Sequence, residues 1–78
     1  MKTITISDFL ALCDEVAKHP YADYPTDSMD CNGHEVSVSD MSFNTVVIDG
    51  RAVSVGNGQY VVDGVAMSYR EYIASIIG

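Results

Sequence analysis

Residues 46–55 read VVIDGRAVSV and residues 60–69 read YVVDGVAMSY, one ten-residue pattern repeated at an offset of fourteen and identical at five positions. Both copies centre on Asp-Gly between β-formers. That dipeptide is the strongest short-range hairpin signal, because a type I′ turn needs positive φ at both central residues. Asn57-Gly58, between the copies, meets the same requirement. Two-residue turns at all three sites would align Ile48 with Arg51, Val46 with Val53, Val55 with Tyr60, Val53 with Val62, Val62 with Val65 and Tyr60 with Met67 on one sheet face. The other face would carry Thr45, Val47, Ala52, Ser54, Gln59, Val61, Ala66 and Ser68, which are smaller or more polar. A slip of one residue would invert the faces, so this agreement predicts an antiparallel β-meander with strands at about 44–48, 51–56, 59–62 and 65–68. Arg51 is the misfit, at a turn where its stem can snorkel. His34 to Ser39 alternates Val36 and Val38 with polar residues after another turn signal, Asn32-Gly33, and adds a fifth strand, 34–39, at an edge of the meander. Its outward Glu35 would discourage edge-to-edge association.

Two amphipathic segments flank these strands. Ile6, Phe9, Leu10, Cys13, Val16 and Ala17 follow the i, i+3, i+4, i+7 spacing of one apolar stripe and predict a helix over about 6–18. Thr5 or Ser7 can cap its start, Lys18 and His19 suit its C-terminal dipole, and Pro20 stops it. At the other end, Ser68 and Glu71 form a capping box ahead of the stripe Tyr69, Tyr72, Ile73, Ile76 and Ile77, which predicts a helix over about 69–77. Two helical stripes and one apolar sheet face match one another, so the expected architecture is α+β with both helices packed on one face of the sheet. Residues 20–33, with two prolines and no period, read as an acidic loop with room for a short strand. A chain of 78 residues is a single domain, 1–78, and buries only roughly 60–65% of its unfolded surface.

Several chemistries lack the residues they need. Cys31-x-x-His34, with Cys13 and His19, supplies ligand types but not the spacing of a zinc finger, and Cys13 lies on a helical stripe meant for the core. An EF-hand alignment over residues 28–39 puts Ser28 and Ser39 where carboxylates are essential. Cys31 and His34 are the one local nucleophile-base candidate, and no glycine-rich loop opens a helix. The expectation is a protein without catalytic residues, metal or other cofactor. The two cysteines are read as cytosolic thiols, and no apolar run approaches the roughly 20 residues that span a bilayer.

Charge is the remaining signal. The formal net charge is −7, from eleven acids against Lys2, Lys18, Arg51 and Arg70. Four scattered cations cannot form a phosphate-binding stripe, so direct nucleic-acid binding is not expected. Between Lys18 and Arg51 the chain carries Asp23, Asp27, Asp30, Glu35, Asp40 and Asp49 and no Lys or Arg. A surface shaped only for solubility intersperses both signs. A one-signed surface instead steers a basic partner toward it. Tyr21 and Tyr24 flank the acidic stretch as candidate interface anchors or as core, and the Asp49 and Asp63 turns of the meander would emerge at the same end of the sheet and extend the acidic surface.

In size, acidity and compact α+β build, over its whole length, the chain resembles the small single-domain phage inhibitors known as anti-CRISPR proteins, several of which mimic DNA. No shared motif carries the likeness. It implies a non-enzymatic inhibitor in the bacterial host cytosol whose Asp23, Asp27, Asp30, Glu35 and Asp40 occupy the place of DNA phosphates on the basic channel of a CRISPR surveillance complex. The rival expectation is a general interaction module, monomer or homodimer, docking through Val47, Val61 and Ala66 or through a sheet edge.

Overall fold

A computed structural model describes residues 1–24, 27–38, 44–56 and 58–78. The chain runs β1 (Lys2–Ile4), α1 (Ile6–Lys18), β2 (Met29–Cys31), β3 (His34–Val38), β4 (Thr45–Ile48), β5 (Arg51–Ser54), β6 (Tyr60–Val62), β7 (Val65–Met67) and α2 (Tyr69–Ile77). Strands β1 to β5 form one sheet in sequence order, and β6 with β7 forms a second, two-stranded sheet. The fold is α+β, and every strand pair is antiparallel except β1 with β2.

Helix α1 starts where the Thr5 hydroxyl accepts the Asp8 amide at 3.0 Å, and it buries Phe9, Cys13 and Val16, one stripe on successive turns. The Tyr24 hydroxyl closes its far end, 2.9 Å from the Glu15 carbonyl and 2.8 Å from that of His19. Ser68 caps α2 through the Glu71 amide, and Asn32 in the β2–β3 turn donates its side-chain amide to the Ile77 carbonyl at 2.5 Å. Ile73 and Ile77 face the same core as Phe9, Cys13 and Val16, together with Met29, Cys31, Val36, Val38, Val46, Ile48 and Val53 from the large sheet and Val55 just past β5. Three turns adopt the positive-φ pair that the sequence demanded: Asn32 and Gly33 at 52° and 86°, Asp49 and Gly50 at 52° and 79°, Asp63 and Gly64 at 52° and 80°.

Three expectations are corrected. Strands β5 and β6 do not pair, so Val55 does not face Tyr60 and Val53 does not face Val62. Tyr60 instead stacks on Tyr72 of α2, centroids 4.2 Å apart and planes within 2°, while its hydroxyl donates to the Ser54 carbonyl. An aromatic pair contributes about 0.5–1.5 kcal/mol beyond its area burial, and the phenol supplies the Ser54 carbonyl with a donor in place of a strand partner. Residue 57, where the third turn was expected, lies outside the described residues. Second, the segment 20–33 is not wholly loop, since it contains β2 and the Asn32-Gly33 turn. Third, Cys31 lies in β2 rather than a turn, fully buried. Strand β1 escaped notice and β2 was foreseen only as a short strand without bounds, because three residues are too few to show alternation. Their parallel pairing also spans the whole of α1. Among the described residues no helix is long and apolar enough to cross a membrane.

Candidate protein interface

The helices cover one face of the five-stranded sheet, and strand pairing places Thr3, Asp30, Glu35, Ser37, Thr45, Val47, Ala52 and Ser54 on the other. None of these is a Lys or Arg. Thr3 faces Asp30, Asp30 faces Glu35, and the register of β3 with β4 continues the row to Asp49. With strands roughly 4.8 Å apart, three acidic residues fall within about 10 Å across the sheet. Like charges directly opposite one another destabilise a strand pair. The sheet nevertheless carries Asp30 half-buried against an exposed Glu35, and neither has an ion-pair partner among the described residues. The rest of this face is small and neutral: Ser37, Val47 and Ala52 lie in one row, Thr45 and Ser54 in the next.

The members of the row differ in freedom. Asp49 reaches back to β3, where its carboxylate sits 2.6 Å from His34 Nδ1 and accepts the Glu35 amide at 3.0 Å. The hydrogen bond to His34 and then that from the Glu35 backbone hold its carboxyl below the ordinary range. Its first duty is therefore structural, to tie the β4–β5 turn to the start of β3. Asp30 and Glu35 carry no such internal engagement.

The other expected site residues divide. Asp23 and Asp27 are exposed on the approach to β2. Asp27 lines a shallow hollow of about 310 Å³ with Met1, Lys2, Ser28 and Met29, so β1 delivers a cation to a stretch that has none in sequence. Asp40 lies outside the described residues. Asp63 sits on the turn of the separate β6–β7 sheet and does not join the row, which corrects the expectation that its turn emerges beside that of Asp49. Tyr21 is 79% exposed, whereas Tyr24 is packed against the core and spends its hydroxyl on the end of α1. Asp14 is taken up by Arg70 and by the Tyr69 hydroxyl at 2.5 Å; that hydrogen bond, then burial, pushes the Tyr69 hydroxyl up to about 12.

Cys31 and His34 face each other across β2 and β3, but His34 Nδ1 is engaged by Asp49, and burial followed by the charge of Asp30 pushes the Cys31 thiol up. Burial likewise pushes Cys13 to about 12. Both cysteines are held as thiols at neutral pH. Among the described residues no three of His, Cys, Asp and Glu converge as metal ligands.

The interaction residues Val47, Val61 and Ala66, expected on one face, are parted. Val47 is half-buried on the large sheet, while Val61 and Ala66 face each other on the exposed hairpin. Sequence reasoning missed Thr3 and the cross-sheet row itself, whose only signal was the pairing of Asp30 and Glu35 about the Asn32-Gly33 turn. Comparison with protein-family models, with curated proteins and with solved structures returned no match.

Proposed function

We propose that this protein works without catalysis, as an acidic ligand that occupies the basic nucleic-acid-binding surface of another protein. The reading rests on one observation: Asp30 and Glu35 stand directly opposite each other on the sheet face turned away from the helices, which among the described residues presents no Lys or Arg. Such repulsion costs the strand pair roughly 0.2–1 kcal/mol, and a basic partner seated on the row would relieve it. With Asp49 at its end the row places three acidic residues within about 10 Å, against one charge per roughly 3.4 Å on a single nucleic-acid strand, so it offers a short, thinned imitation of a phosphate backbone. Arginines meeting it find planar carboxylates on a rigid sheet, suited to bidentate contact. Exposed Asp23, Asp27 and Tyr21 would extend the contact from the adjoining segment. The likeness to anti-CRISPR proteins makes a CRISPR surveillance complex the first partner to try, in the cytosol of a bacterial host.

The test is competition. A purified type I surveillance complex is titrated with labelled target duplex in the presence of the protein or of its Asp30→Asn/Glu35→Gln double variant, at low and high salt. The wild type is expected to displace DNA steeply at low salt and weakly at high salt, and the variant to lose at least tenfold in potency, about 1.4 kcal/mol. The variant should melt no lower than the wild type, because the substitution relieves repulsion. Equal potency of the two proteins, or no displacement at any salt, would reject this function.

A further inference from the structure

The β6–β7 hairpin is the least covered part of the molecule. Val61, Val62 and Val65 are 71%, 36% and 60% exposed, and Ala66 is exposed beside them. A two-stranded sheet alone in water is marginal and gains most from a third strand. The two-residue Asp63-Gly64 turn makes Val62 and Val65 the closing hydrogen-bonded pair, and hydrogen-bonded and non-bonded pairs alternate along an antiparallel ladder. The next pair, Val61 and Ala66, therefore points its N–H and C=O groups away from the hairpin. On the β6 side the Tyr60 hydroxyl ties the strand toward β5 through the Ser54 carbonyl. Among the described residues the β7 side has no such tie, so Ala66 presents one donor and one acceptor at an outer edge.

We infer that this edge joins two copies of the chain, β7 against β7 in antiparallel register about a two-fold axis at Ala66. A second copy fits where other occupants do not. The edge is self-complementary, since the donor and acceptor of one Ala66 meet the acceptor and donor of the other, as an isologous contact requires. In the same register Val65 packs beside the second copy's Met67, two apolar neighbours that are exposed and half-buried in the single chain. The charges agree as well. The edge itself carries no formal charge from Gly64 to Tyr69, so two copies of net charge −7 meet there without like charges in direct contact. The two-fold also brings Asp63 of one copy level with Tyr69 and Arg70 of the other. Arg70 already holds Asp14, but its side chain is 51% exposed and its guanidinium has further donors. An acidic surface would attract a basic partner elsewhere, whereas this edge offers such a partner almost nothing. The contact is small, at the low end of specific interfaces, so the dimer depends on concentration.

The dimer has its own signature. Exposed ion pairs contribute little, whereas two bodies of charge −7 repel at long range. Added salt should therefore strengthen self-association, the opposite of its effect on a basic partner, so this proposal and the function above can fail separately. Sedimentation velocity of the full chain over a concentration series reads it directly. The expected result is a shift from monomer to dimer that salt promotes and that Ala66→Pro abolishes with unchanged circular dichroism, because the lost N–H points out of the hairpin. Val65→Lys, at an exposed position the fold tolerates, is expected to weaken dimerisation at least tenfold and decides the matter should Ala66→Pro disturb folding. A wild type that stays monomeric at every concentration, or a dimer indifferent to Val65→Lys, overturns the inference.

Discussion

The β4–β5 and β6–β7 hairpins are copies of one pattern, with the same Asp-Gly turn, φ values agreeing within 1°, and the same two-residue register. Their surroundings diverge. Val46, Ile48 and Val53 are at most 2% exposed, whereas Val62 and Val65, the repeat equivalents of Ile48 and Arg51, are 36% and 60% exposed. The first hairpin has β3 on one side and both helices over one face; the second is anchored by the stacking of Tyr60 on Tyr72 and by the chain running into α2. Local sequence is thus enough to make a hairpin but not to bury it. Burial depends on which neighbours arrive, and among the described residues β3 pairs with the first copy and not with the second.

Matched substitutions at equivalent positions separate the two hairpins. The largest contrast is expected from truncating the apolar residue before each turn. Ile48→Ala should cost about 3 kcal/mol, a fall in Tm on the order of 15 °C for a domain of this size, while Val62→Ala should stay within about 0.5 kcal/mol. A comparable cost at Val62 would show that the second hairpin is buried in solution. Next come the turn glycines, both in the left-handed region and both with open space where a Cβ would stand. Gly50→Ala should lower the urea unfolding free energy by about 1 kcal/mol through backbone strain alone. Gly64→Ala should lower it by less, since an exposed hairpin can release the strain by opening locally. A larger loss at Gly64 would make β6–β7 the more cooperative element.

The smallest contrast concerns acid. The Asp49 carboxyl is held below its ordinary value by His34 and the Glu35 amide, so its contribution is present above the unfolded value of 3.8 and is lost as pH falls through the lower folded value. Asn keeps the left-handed turn conformation available. Melting curves of Asp49→Asn should therefore fall less steeply than wild type below pH 3.8. An acid profile of Asp49→Asn identical to that of wild type would show that the tie from Asp49 to His34 and Glu35 adds nothing to the first hairpin.

Both helices, the three Asp-Gly and Asn-Gly turns and the strands from β3 to β7 were legible because each is a local matter: an apolar stripe with a cap, or a dipeptide that tolerates positive φ. The candidate interface was half legible. Asp30 and Glu35 lie five residues apart about a turn signal, so their pairing could be foreseen. That Asp49 would close the row while bound to His34, that Tyr24 would serve the end of α1, and that Lys2 would come beside Asp27 depended on contacts between distant segments.

By itself, then, the sequence determined both helices, the strands from β3 to β7, their turns and an acidic surplus without cations nearby in the chain. Only the tertiary structure decided that β1 enters beside β2, that β5 and β6 part, and that Tyr60 goes to α2 instead of extending the sheet. The reason is one of range. Turn dihedrals and amphipathic periods are set within a few residues, whereas the choice between two apolar partners for one side chain is a competition between surfaces that meet only once the chain has collapsed.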